Sequence, residues 1–546
     1  MNNKLVYGID LGTGFSAIAE WDEKSQTARV ISTTDSRTTT PSVVFIANNN
    51  QAVVGQEAVN RLGGPNAKNV IAWSKRLIAQ DKMFSEDGSF LGDYPVFEGK
   101  KLTPITVAAL ILKKLTALNP NILNNGGPIR VVVTFPAHFT PAARERTRQA
   151  CKIAGLDVLG MVEEPIAAAL QYGAGGMKAD RTLLVWDWGC GTYDATLVKF
   201  DASGRGTVLA KAGDPKLGGV DCDNAFAYEL VQHYKSQKKI KIELTKSDFE
   251  NDEIDNVEKL RLVNKFRRMA NETKHALSSL NELDVVVDDG DVVLHVTRAM
   301  FEQCIANLVG DTHAIVRTVL EEAKISDSGV DEVILVGGSS LIPCVQERLE
   351  CEFPGFKHKV RISDPMECVA KGAAIWAHIL AEGGASEGAG NAENLPTIIN
   401  KASYSLGVKC VRNCGAGGTE NYVSNIIFRG QTTPAVGKDR FSTFYDGQKN
   451  VALCIYSSEL QDEKISLNDA KEIANPASNL LPFERSVPKD TPLEVELQLD
   501  DAGLITVTGK SLVDSGYCRF QLHLNGTLDE KGIAGATRQI SEGTTR

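Results

Sequence analysis

The sequence predicts a two-lobed α/β body followed by an antiparallel β-sandwich, and three observations carry that expectation. An apolar strand runs into Asp-x-Gly-x-Gly twice, ending in Asp10-Leu11-Gly12-Thr13-Gly14 and again in Asp187-Trp188-Gly189-Cys190-Gly191. Strand-like and helix-like periodicities alternate after each copy. Past residues 382–391, a Gly, Ala, Ser and Glu stretch with no large apolar residue, the pattern becomes short alternating runs divided by turn residues.

Taken in order, strands are expected at 5–9, 17–21, 28–32, 42–46 and 129–135, with helices at 106–118 and 141–154. The programme then restarts with strands at 182–186, 195–200 and 208–212, helices at 224–237 and 258–279, and a strand at 332–336. Alternating runs at 404–408, 423–428, 451–456, 493–499 and 504–508 suit a sandwich whose inner face takes every second side chain. The division is an α/β body over 1–381, a flexible linker over 382–402 and a sandwich domain over 403–546.

With 546 residues, 42% of them hydrophobic, the chain can bury several cores. A net charge of −10 without a long basic run argues against nucleic acid or an anionic membrane as partner. No stretch reaches the roughly 18 apolar residues of a membrane span, and Lys4 and Asp10 interrupt the start, so a cytoplasmic location is expected. The eleven cysteines are scattered, which suits a reducing compartment. Cys410 and Cys414 lack the second ligand pair of a zinc site and read as reduced thiols in a glycine-rich loop.

Gly12-x-Gly14-x-x-Ala17 also fits a dinucleotide fingerprint, with Asp35 at a distance suited to a ribose contact. That reading needs a helix to start at the glycines, whereas residues 15–21 and 28–32 alternate like a hairpin. A glycine turn by itself needs no ligand. Two such loops on equivalent strands can cradle a polyphosphate from both sides through backbone N–H groups. Asp10 and Asp187 then face one cavity, and Mg²⁺ suits a place with two carboxylates, waters and phosphate oxygens.

The motifs continue in a set order: Lys75-Arg76-Leu77-Ile78, Thr134-Phe135-Pro136-Ala137-His138-Phe139, Glu164-Pro165 with Ala167-Ala168-Ala169, Leu217-Gly218-Gly219, and Ile334-Leu335-Val336-Gly337-Gly338-Ser339. In this the chain closely resembles the heat-shock protein 70 chaperones, the DnaK-like branch of the actin and sugar-kinase ATPases. The resemblance is specific through about Ala377 and looser, though collinear, beyond. It implies an actin-like ATPase domain built from two ribonuclease-H-like folds, then a peptide-binding β-sandwich.

Carried over, the resemblance implies binding of ATP/ADP and Mg²⁺ and hydrolysis of ATP. Lys75 positions the attacking water near the γ-phosphate, and Glu164 and Asp194 orient it or assist proton removal. Asp10 and Asp187 hold Mg²⁺, and Gly12, Thr13, Gly14, Gly189, Cys190, Gly191 and Thr192 line the phosphates, with Thr192 also in the catalytic set. Gly218, Gly219, Gly337, Gly338 and Ser339 complete the nucleotide loops, and Asn271, Lys274, His275, Ser278 and Leu341 surround ribose and base. Taken singly, Lys75 would read as a solvated helix lysine and Glu164 as a helix-start carboxylate.

Several positions depart from the family pattern. Asn271 replaces a ribose-contacting glutamate, His275 and Leu341 replace two arginines flanking the adenine, and Met366 replaces an aspartate. Loss of both guanidinium planes predicts weaker ATP binding than is usual in the family. Gly14 stands where a second threonine is usual. Cys190 replaces a phosphate-loop glycine, either as a tolerated small residue or as a thiol of altered pKa that brakes turnover on oxidation.

Residues 394–401, apolar but without flanking aspartates, correspond to the family's docking linker, and Pro136 and Arg144 match its interdomain relay. The resemblance implies a groove for extended apolar peptide lined by Val408, Val411, Phe441, Val451 and Leu453. The family's helical lid is missing: residues 525–530 lie where it would begin, and the chain stops at Arg546. Bound peptide should therefore exchange quickly.

The function so implied is an ATP-dependent chaperone for unfolded or nascent polypeptides, served by a J-domain co-chaperone and a nucleotide exchange factor. The alternative is a nucleotide-binding co-chaperone or adaptor with little ATP turnover and no peptide cycle. A small-molecule kinase on the same fold leaves the sandwich unexplained.

Overall fold

The computed structural model describes residues 5–33, 36–118, 120–123, 127–174, 179–238, 242–250, 254, 256–287, 290–362, 364–382, 397–414, 418–474, 479–501 and 503–545. Two sheets of related topology form the α/β body. In the first, the strand order is Leu156–Glu163, Ile129–Phe135, Val6–Leu11, Phe15–Asp22 and Thr27–Val30. In the second it is Val360–Ile362, Glu332–Val336, Arg181–Trp188, Tyr193–Phe200, Arg205–Asp214 and Thr397–Ile399. Each Asp-x-Gly-x-Gly strand pairs in parallel with one neighbour and antiparallel with the strand that follows it.

Both glycine loops are thus hairpin turns, and the helix that a dinucleotide site requires is absent from the first. Asp35 lies outside the described residues. The observed helices begin at or before the expected positions, by as many as five residues, and three of them stop one or two residues short of the expected ends: they cover Pro104–Thr116, Pro141–Ile153, Gly219–Gln237 and Val257–Leu277. Thr103 and Thr140 cap the first two through their hydroxyls, which satisfies N–H groups a helix start leaves unpaired.

The helices Glu164–Gly173 and Cys368–Ala381 cross between the sheets. Glycine permits the crossing, because a Cβ on Gly8 would stand 2.0 Å from the backbone N of Ala374 and one on Gly372 would stand 1.7 Å from the carbonyl of Ala167.

Three expectations need correction here. Residues 383–396 of the expected linker lie outside the described residues, but Thr397–Ile399 is a strand that extends the second sheet, parallel to Arg205–Thr207 in register. The expected strand at 451–456 is two strands, Gln448–Ala452 and Ile455–Ser458, in different sheets, with Leu453 buried between them. The sandwich itself combines a five-stranded and a four-stranded sheet, and its ordered pairing ends at the bridge from Ala474 to Leu524.

The third correction concerns the rest of the expected sandwich domain. The helix Glu530–Glu542 packs Ala536 and Ile540 into the core of the first lobe, and Thr544–Thr545 pairs with Gln51–Ala52. Polar contacts reinforce the docking: Gln539 donates to the carbonyls of Phe97 and Lys100 at 2.8 and 3.0 Å, and Arg146 donates to that of Gly526 at 2.7 Å. The apolar stripe of Ala536 and Ile540, at i and i+4 on this short helix, is covered there.

Candidate active site

A cavity of about 380 Å³ opens between the lobes. Among the residues expected at metal, phosphate, ribose and base, only Asp194 and Gly218 stand outside its wall. Gly218 precedes the helix Gly219–Gln237 and donates its N–H to Asp221 Oδ2 at 2.8 Å. Asp194 is 1% exposed and lies opposite Asp187 in the hairpin register, one layer behind the cavity.

The two phosphate loops interlock. A Cβ on Gly191 would meet the Thr13 side chain at 2.6 Å, and a Cβ on Gly14 would meet Cys190 Sγ at 2.6 Å. The thiol of one loop therefore fills the space that the other leaves open. Burial pushes the Cys190 pKa up to about 12, so the thiol stays protonated. Of the two readings of Cys190, this favours the tolerated small residue: without thiolate character the side chain packs as a small apolar group.

Gly337 approaches the second loop so closely that a Cβ would lie 2.4 Å from the Trp188 carbonyl, and its φ of +81° suits glycine.

Lys75 enters from the short helix Ser74–Ile78, which Trp73 starts in a left-handed backbone conformation uncommon for a bulky residue. Its ammonium is ion-paired with Glu164, and both are buried. Thr134 Oγ1 donates to Asp10 Oδ1 at 3.2 Å. Burial raises the Asp10 pKa to about 7, with the negative charge of Glu164 adding to it and Lys75 and Thr134 opposing. Burial also raises Glu164, and it raises Asp187 well above the usual carboxylate range with Glu164, Asp194 and Asp10 contributing. Asp10, Asp187 and Glu164 around one lysine form a site short of positive charge, which fits a divalent cation. Among the described residues no group of three or more His, Cys, Asp or Glu is placed to hold a metal ion.

At the base end, His275 and Leu341 are both exposed on the rim, Leu341 by 48%, and desolvation at the cavity wall, with the charge of Lys274 adding, lowers the His275 pKa. Ser278 Oγ is spent on the Lys274 carbonyl at 3.2 Å and Ser339 Oγ on that of Gly189 at 3.0 Å. Across the cleft, Arg76 pairs with Asp221 at 3.1 Å, and the Arg267 guanidinium lies 5.4 Å from the Trp73 ring centroid. These contacts were missed in the sequence; the acidic pair Asp221 and Asp223 in the helical turn after Gly218-Gly219 was the available signal.

The sandwich meets this site through few residues. Arg144 donates to Ser403 Oγ at 2.9 Å and to the Phe139 carbonyl at 3.0 Å, with its guanidinium 4.6 Å from the Phe135 ring centroid. Tyr404 donates to the His138 carbonyl at 2.6 Å, and His138 Nδ1 lies 3.1 Å from Asp194 Oδ1. Lys211 binds both oxygens of Glu163 at 2.8 Å and Asn400 Oδ1 at 3.0 Å. A path of direct contacts thus runs from the first sandwich residues to Asp194.

Five groove residues were expected; Val408 and Leu453 are instead buried in the sandwich core, at 5% and 1% exposure. Val408 lies in the buried first half of the strand Ser405–Cys414, and Leu453 enters the core at the break between Gln448–Ala452 and Ile455–Ser458. Val411, Phe441 and Val451 are half-buried. Cys410 and Cys414 are free thiols, with Cys414 3.4 Å from Glu420 Oε2.

A profile of the Hsp70 protein family matches residues 6–543. The chain belongs to the Hsp70 family. It is also similar to the chaperone protein DnaK of Anaplasma marginale (strain St. Maries), at 32% identity over 550 aligned residues, 97% of this chain and 78% of that one. The family makes it an ATP-dependent chaperone that binds unfolded polypeptide, an ATPase with ATP/ADP and Mg²⁺ as cofactors. Among the described residues no helix is long and apolar enough to cross a membrane.

Proposed function

We propose that this Hsp70 hydrolyses Mg-ATP with Lys75, Glu164, Asp194 and Thr192, and that docking of the sandwich on the Arg144 side sets the rate. The observation that carries this is the buried Lys75–Glu164 pair facing Asp10 and Asp187 in one cavity. Asp10 and Asp187 hold the cation, which when bound neutralises charge on the β- and γ-phosphates. Thr13, Gly14, Gly191 and Thr192 surround the phosphates and keep the loops closed. The Lys75 ammonium stays fixed where charge spreads over the transferred group. Glu164 and Asp194 orient the attacking water and receive its proton. Two glutamates side by side, Glu163 and Glu164, divide the work: the first is tied to Lys211 and Arg144 on the sandwich side, the second to Lys75 in the cavity.

Asn271, Lys274 and Ser278 take the ribose, and His275 and Leu341 offer one ring and one aliphatic face to the base. Peptide is held by the half-buried Val411, Phe441 and Val451 on the sandwich. Family membership supports service by a J-domain co-chaperone and a nucleotide exchange factor, and a cytoplasmic location. Single-turnover hydrolysis of Mg-ATP, with and without an unfolded peptide, tests the reading. Peptide should accelerate the wild type and leave Lys75→Ala inactive, whereas turnover equal to that variant ends it. A peptide off-rate indifferent to ATP would favour the adaptor.

A further inference from the structure

Asp223 is a buried carboxylate, 6% exposed, that stands behind the ribose end of the cavity without lining it. It sits on the helix Gly219–Gln237 and reaches two residues of the helix Val257–Leu277. Asp223 Oδ1 lies 2.7 Å from Lys274 Nζ, and Asp223 Oδ2 accepts from Asn271 Nδ2 at 2.9 Å. Asn271 and Lys274 are one turn apart, so they share a helix face, and both line the cavity.

The chemistry of the contact fixes the orientation of the amide. A carboxylate only accepts, so Asn271 must present Nδ2 to Asp223, which turns Oδ1 away from the acid and leaves it as an acceptor for a ligand, beside the second N–H of the amide. A carboxylate at 271 would face Asp223 as a like charge; asparagine turns the same contact into a hydrogen bond and keeps an acceptor. Burial is the largest single influence on Lys274 and works against its charge, but the charge and hydrogen bond of Asp223 together with smaller neighbouring contributions leave the Lys274 pKa raised, so this neighbour remains an ammonium donor. One buried acid thereby holds an acceptor and a donor side by side, the pair that adjacent hydroxyls on a sugar require.

We propose that Asp223 is a positioning residue that orients Asn271 and Lys274 toward the ribose hydroxyls and makes this site select ribonucleotides over deoxyribonucleotides. The inference rests on the placement of ribose proposed above.

Calorimetric titration of the full chain with Mg-ATP, Mg-2′-deoxy-ATP and Mg-3′-deoxy-ATP tests it. Wild type should bind ATP about tenfold tighter than the weaker deoxy analogue, the scale of one hydrogen bond to a well-held group. Asp223→Ala and Asn271→Ala should each bring that ratio toward one while weakening the deoxy analogue by no more than about twofold. Asp223→Asn, which can still accept from Asn271, should keep part of the ratio. Equal weakening of all three nucleotides in Asp223→Ala would mark a merely structural residue and overturn the proposal, as would an unchanged ratio in both alanine variants. Should Asp223→Ala not fold by thermal unfolding, Asn271→Ala decides alone. Wild-type binding without discrimination defeats this inference only, whereas absence of binding defeats the nucleotide site itself.

Discussion

The two Asp-x-Gly-x-Gly hairpins are built alike and equipped differently. In the first, the residue opposite Asp10 is Ala17; in the second, the residue opposite Asp187 is Asp194. The first loop is braced by Ser42, whose N–H and hydroxyl reach the carbonyls of Gly14 and Gly12, each at 2.8 Å. The second is braced by the helix start at Gly219 and Val220 and by Ser339. A duplicated scaffold thus carries an unequal division: one loop follows a strand-end acid near Lys75, the other a strand-end acid backed by a second acid. The small residues are unequal as well, and the side chain missing at Gly14 is made good by Cys190 from the opposite lobe.

The largest expected effect tests whether chemistry needs both halves. Lys75→Ala removes the first lobe's cation and leaves Glu164 buried and unpaired, so single-turnover hydrolysis should fall by about 100-fold or more. A residual rate within a few-fold of wild type would mean that the second hairpin suffices.

Next comes the interlock. Gly14→Thr puts a side chain onto Cys190 Sγ, and ATP affinity should drop by about tenfold, the scale of an overpacked contact. Adding Cys190→Gly should restore it, and titration of both single variants and the double gives the coupling. Additive losses would show that the two positions are independent.

Asp10 carries a pH signature of its own. The unfolded carboxyl releases its proton near the usual 3.8, whereas the folded one holds it to about 7, so across that window the folded state binds more protons. Stability of the nucleotide-free, metal-free protein should therefore fall as pH rises from about 4 to 7, and Asp10→Asn should flatten that fall. Thermal unfolding in chelator across the window checks it; parallel curves would assign the slope to Asp187 or Glu164.

The smallest expected effect is none. With the Cys190 thiol protonated, brief peroxide treatment should leave the single-turnover rates of wild type and Cys190→Gly alike and unchanged. A loss confined to wild type would restore the oxidation brake.

Much of the body was legible because its signals are local. The strands at 129–135 and 332–336 are observed as Ile129–Phe135 and Glu332–Val336, since apolar runs bounded by turn residues define a buried parallel strand. Alternation after Gly14 separated a hairpin from a dinucleotide turn. The groove was less legible, because Val408 and Leu453 satisfy the same apolar pattern whether they face a ligand or the core. The run 451–456 hid a change of sheet, which no period-two pattern reveals.

What the sequence determined alone was therefore the doubled hairpin and the order of motifs, because turn geometry and strand alternation are written within a few residues of one another; the family and its ATP-dependent chaperone activity followed from the resemblance those motifs carry. Only the tertiary structure decided which acids act together: Lys75 with Glu164 across 89 residues, Asn271 and Lys274 with Asp223 across a helix pair, and the terminal helix with the first lobe rather than the sandwich. Those pairings depend on desolvation and on the closure of the chain in space, where a charge, an amide or an apolar stripe takes the partner that burial brings to it.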